Sequence, residues 1–192
     1  MQHLEEMDKN ESYKLNAYTG DFYKKDYVGK PDSALLVINK IIRNEPKLKY
    51  APFIAFHTFS SLLKTDLQKA YKYGKVVLVT STYDEPSYFS IIEPIKWYSD
   101  KLNLPAEIYE LGAEAYQTEI DQITYPEIVD VPKLYYNMAE WYWRAKNKLK
   151  AIEADQNAIK ALKGRKGFSA IKMAALEDRL HQYKRMYIRT AK

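Results

Sequence analysis

The chain has 192 residues, 46% of them apolar, and a formal net charge of +5. That apolar content supplies a core and excludes disorder of the whole chain, and the absence of Cys excludes disulfides, thiolate nucleophiles, Cys-ligated zinc and iron–sulfur clusters. With only 6 Gly and 8 Pro, the chain is too poor in turn residues for an all-β fold. Tyr is abundant, with 18 copies, and suits half-buried helix faces and binding surfaces.

The opening MQHLEEMDKNESYK lacks the basic-then-apolar layout of a signal peptide. The expectation is a cytoplasmic protein, or one of the bacterial envelope if an export signal has been trimmed. No run of 18 apolar residues is present, so no membrane span is expected. Residues 1–30 are polar and Tyr-spotted with a turn signal at Thr19-Gly20-Asp21, and read as an irregular or short-helix lead-in. Asp32 or Ser33 is the expected cap of a helix through Ala34, Val37, Ile38 and Ile41, closed by Glu45-Pro46.

A second helix is expected from about 48 to 64, with Pro52 near its start and Phe53, Phe56, Phe59 and Leu63 as its stripe. Asp66 opens a third, through Leu67, Ala70, Tyr71 and Val77. The run VVLVT at 76–80 continues that helical pattern, and Tyr83–Pro86 breaks it. Helices follow over about 87–102, with Pro94 inside, and 105–121. After the polar connection QITYPEIVDVP comes a pair at 132–146 and 148–163. Ser169 caps a last helix, within 168–188, in which Met173, Leu176, Leu180, Tyr183 and Tyr187 form one narrow stripe.

The stretch PKLYYNMAEWYWRAKNKLKAIEADQNAIKAL resembles a tetratricopeptide repeat. Tyr135, Met138, Ala139 and Tyr142 fill the packing places of the family's first helix, and Ala151, Ile152 and Ala158 those of its second. Two departures are Ala139, where Gly is usual, and Asp155, where an aromatic is common. The second departure alters the contact to whatever follows. Weaker echoes place Trp97, Ala106 and Ala113 as counterparts of Tyr142, Ala151 and Ala158, and Ala70 with Val77 as a third unit; the steps of 36 and 45 residues are irregular. The resemblance implies an all-α, α–α superhelix of stacked hairpins over residues 31–192, ended by a capping helix. A fainter likeness joins EPIKWYSDKLNLPAEIYELGAEAYQTEIDQ and MAEWYWRAKNKLKAIEA to helical regions that accompany thioredoxin-like modules in bacterial envelope proteins. No Cys-x-x-Cys is present, so that likeness implies an accessory role without redox chemistry.

No catalytic constellation is found. His3, His57 and His181 have no metal-ligand spacing, and no phosphate-binding glycine loop or nucleophile elbow occurs. The acid pairs Glu107/Glu110, Glu110/Glu114 and Glu177/Asp178 read as solvated helix faces. The expected function is therefore a non-catalytic protein–protein interaction module that needs no cofactor and binds a partner segment in the groove of its first helices. By the family's geometry Lys133, Tyr136, Asn137, Glu140, Trp143 and Arg144 face that groove, and Tyr, Trp and Arg are frequent binding anchors. A second expectation concerns charge. Lys163–Lys192 holds nine basic and two acidic residues, a net of +7, leaving −2 for the rest. Lys163, Arg165, Lys166, Lys184, Arg185 and Arg189 form a basic patch there that could meet nucleic acid.

Overall fold

A computed structural model describes residues 31–82, 86–126, 128–165 and 169–190. The lead-in expected over 1–30 lies outside the described residues, as does Lys166. Among the described residues there are eight α-helices and no strand.

Helix α1 (Pro31–Asn44) turns Ala34, Val37, Ile38 and Ile41 to one side, where they meet Ile54 of α2. It begins at Pro31, so Asp32 is not the cap but sits in the first turn, where a negative charge favours the positive end of the helix dipole. A 3-10 turn (Pro46–Tyr50) leads to α2 (Pro52–Thr65), whose Pro52 takes the first helical position, where its missing N–H is not needed. From His57 to Leu63 every residue of α2 is buried, which marks it as a central helix. In α3 (Leu67–Thr80) Asp66 is the N-cap, its Oδ1 accepting from the Lys69 amide at 2.9 Å. The β-branched run at 76–80 stays helical, with Val77 fully buried in the core.

Helix α4 (Phe89–Tyr98) keeps Pro94 buried within it and ends earlier than the sequence implied, because the chain turns irregularly through 99–105. Helices α5 (Ala106–Asp121), α6 (Val131–Arg144) and α7 (Lys148–Lys163) fall where expected. Asn147 caps α7 by accepting from the Lys150 amide. Helix α8 (Ala170–Thr190) closes the series, with the Ser169 hydroxyl accepting from the Lys172 amide.

Packing is mostly between neighbours in sequence, with α2 also against α4 and α3 against α5. One continuous core runs from Ala55 of α2 to Tyr183 of α8; α1 adds a small cluster at one end, and Ala158, Leu162, Met173 and Leu176 add another between α7 and α8. The fold is an all-α helical stack. Small residues set the helix approach: Ala70, Ala113, Ala151 and Ala158 are fully buried. Two glycines do the same. A Cβ on Gly74 would stand 2.5 Å from Leu111 and 3.1 Å from Phe59, and one on Gly112 would overlap the Trp141 ring.

Candidate partner-binding surface

Helix α6 carries the aromatic group that the sequence singled out. Met138, Ala139 and Tyr142 are buried and Tyr135 is half-buried. Trp141, which the repeat pattern left unassigned, is also buried. It lies over Gly112 and against Tyr116, with ring centroids 4.8 Å apart.

The six expected groove residues do not share one environment. Lys133 is exposed. Asn137 is half-buried and reaches the Tyr116 hydroxyl. Glu140 accepts from Arg144 Nη2 at 2.8 Å, and Arg144 also lies 3.9 Å from Asp100, beyond the end of α4. Tyr136 and Trp143 are each contacted from within the chain, although Tyr136 stays 38% exposed. The Arg179 guanidinium sits 3.4 Å from the centre of the Tyr136 ring, and Trp143 stacks on Tyr183 at 4.1 Å with the planes 3° apart. Both covering residues belong to α8. Trp143 is therefore not an open anchor, because the last helix supplies the partner that its ring needs.

Asp155 holds that helix in place. It is fully buried on α7 and receives Arg179 through two nitrogens, while Arg179 also donates to the Tyr136 carbonyl at 3.1 Å. Burial pushes the Asp155 carboxyl above its ordinary range, and Arg179 pulls it back. A carboxylate where the repeat pattern favours an aromatic thus finds its cation on the capping helix.

A different aromatic pair is open. Phe56 of α2 and Trp97 of α4 meet edge to face, with centroids 5.3 Å apart, and Trp97 is 54% exposed. Phe53 and Phe56 both pack edge-on against the buried His57 ring, which braces this ridge from behind. The sequence had set Trp97 as the counterpart of the buried Tyr142, and the structure corrects this. The stripe of α4 is Ile91, Ile92 and Ile95, and a residue two beyond Ile95 points about 200° away from it. That isoleucine spacing was the signal that could have found Trp97. Beside it, Lys96 bonds Glu93 at 2.7 Å and lies over the Tyr116 ring.

The acid pairs are dispersed into ion pairs or solvent. Glu110 accepts from Asn147 and Lys150, and Glu114 binds Lys75 at 2.6 Å, which raises that lysine's pKa. Glu107, Glu177 and Asp178 are exposed. Among the described residues no group of three His, Asp or Glu could hold a metal, and no helix is long and apolar enough to cross a membrane.

The basic patch is not one surface. Lys163 ends α7 and Arg165 follows it, committed to the carbonyls of Pro126 and Val129 and to Asp130. Lys184, Arg185 and Arg189 are exposed near the far end of α8, a helix of 21 residues and about 30 Å. Charges separated by more than a Debye length of about 8 Å act independently in physiological salt.

No family model, no curated protein and no solved structure matches the chain. The reading of the surface therefore rests on its own geometry.

Proposed function

We propose that the chain is a non-catalytic protein–protein interaction module, a tetratricopeptide-like array whose first helices of each hairpin receive a segment of another protein. The observation that carries this reading is the Phe56–Trp97 ridge. A large aromatic held rigid by a neighbour and left half in water is the usual form of a binding anchor. Support also comes from continuity. The Arg144–Asp100 contact links the end of α4 to Glu140 and Arg144 on α6, so the ridge extends toward polar groups able to orient a peptide. The packing of consecutive hairpins through buried alanines and glycines fits the same reading.

The test is affinity capture from source cells with Trp97→Ala against Val79→Ala, a control on α3 that is 84% exposed. Neither change removes a buried side chain, so both variants should keep wild-type helical content. Loss of an anchor residue is expected to weaken binding by about 2 kcal/mol, some thirtyfold. A protein retained by wild type and Val79→Ala and lost by Trp97→Ala supports the proposal. Equal retention by all three refutes it.

A further inference from the structure

One end of the stack brings two loops together. Arg165, just past α7, donates to the Pro126 carbonyl at 3.1 Å and to the Val129 carbonyl, and lies 3.5 Å from Asp130. Lys172, in the first turn of α8, stands 4.0 Å from the other Asp130 oxygen. These contacts tie the loop between α5 and α6 to the α7–α8 connection. The α5–α6 loop itself turns tightly, the Ile128 amide donating to the Tyr125 carbonyl at 3.2 Å.

Large apolar side chains stand out from this end. Ile128 is 80% exposed, Ile171 83% and Tyr125 57%. A single exposed apolar residue is ordinary on a protein surface, but a local group of them marks a contact. Exposure this high holds each isoleucine proud of the surface rather than in a groove. Basic side chains share the same end. Lys160 and Lys163, in the last turn of α7, are exposed and make no ion pair among the described residues. Asp130 is the one acid among the described residues of the two loops, and Arg165 and Lys172 share it. By sequence, 122–130 and 160–172 together hold five basic and two acidic residues.

We propose that this end docks on an anionic lipid surface, with Tyr125, Ile128 and Ile171 entering the interface and Lys160, Lys163 and Lys172 meeting the headgroups. A bilayer takes apolar side chains at its acyl boundary and cations at its headgroups, and its fluidity asks for no matching pocket. Tyr suits that boundary because its ring is apolar and its hydroxyl polar. The contact is peripheral and reversible, since three side chains bury far less apolar surface than a spanning helix. Nucleic acid fits less well, because isoleucines so exposed gain little against a phosphate backbone. This surface shares no residue with the Phe56–Trp97 ridge.

The test mixes the full chain with sedimenting vesicles of phosphatidylcholine, alone or with about 30% phosphatidylserine. Binding to the second kind and little to the first is expected, falling as salt is raised. Lys160→Gln with Lys163→Gln is expected to weaken binding about thirtyfold, at about fivefold per charge. Ile128→Ser with Ile171→Ser is expected to weaken it by about tenfold. All four positions are exposed, so both double variants should keep the wild-type Tm. Absence of binding to the phosphatidylserine vesicles overturns the proposal, as does binding that both double variants retain in full. A single-stranded oligonucleotide that binds more tightly than the vesicles, and is released by the lysine changes but not by the isoleucine changes, overturns it in favour of nucleic acid.

Discussion

Arg179→Ala isolates what the capping helix contributes. The substitution strands Asp155, which has no solvent exposure, with no cation. Its cheapest escape is to take up a proton. A carboxyl of ordinary pKa 3.8 does so near pH 7 at about 1.36 kcal/mol per unit, about 4 kcal/mol in all. That sum is the ceiling on the electrostatic loss and agrees with the roughly 3–5 kcal/mol typical of breaking a buried pair. Near pH 5 the same ceiling falls to about 1.6 kcal/mol. The sign follows from linkage. In the variant the folded-state pKa lies above the unfolded one, so stability is fully present below the unfolded value and is lost as pH rises through the folded value. Urea denaturation followed by circular dichroism should therefore show a deficit that shrinks between about pH 7 and pH 5, by at most about 2–3 kcal/mol. Adding Asp155→Asn to Arg179→Ala should abolish that pH dependence. An Arg179→Ala deficit that is equal at both pH values, or below about 1 kcal/mol at both, would refute a buried pair.

Three further outcomes are expected. Gly112→Ala should destabilise by about 1–2 kcal/mol, because overlap with the buried Trp141 ring outweighs the gain of about 1 kcal/mol in helix propensity; a thermal melt showing stabilisation would mean that α5 and α6 are less closely packed. Burial pushes the Tyr183 phenol up to about 12, so its contribution is intact below the unfolded pKa near 10 and lost as pH rises through the folded value. Wild type should accordingly lose about 1.4 kcal/mol relative to Tyr183→Phe between about pH 9 and pH 11, measured by denaturant titration. Asp66→Ala should cost about 1 kcal/mol through loss of the α3 cap, with the helix otherwise retained by circular dichroism.

Much of the fold was legible because its cues are local. Asp66, Pro52 and Ser169 act within one turn of their own position, and the stripe Met173, Leu176, Tyr183 follows the helical period. The site was less legible because it depends on which helix lies over which. Spacing placed Tyr136 and Trp143 on one side of α6 but carried no information that α8 would cover that side. The oddity of Asp155 was visible, yet its mate lies 24 residues away, beyond any local period. Trp97 was misplaced by trusting repeat spacing over the isoleucine stripe of its own helix. Gly74 and Gly112 were missed because a glycine inside a helix announces nothing until the facing ring is known.

The Asp155–Arg179 pair also fixes the register of α8. Apolar contacts alone would tolerate some sliding of that helix along its own axis, whereas a planar guanidinium that meets Asp155 through two nitrogens and lies against the Tyr136 ring fits one rotation and one height. A single position on α7 thereby sets where Tyr183 falls over Trp143.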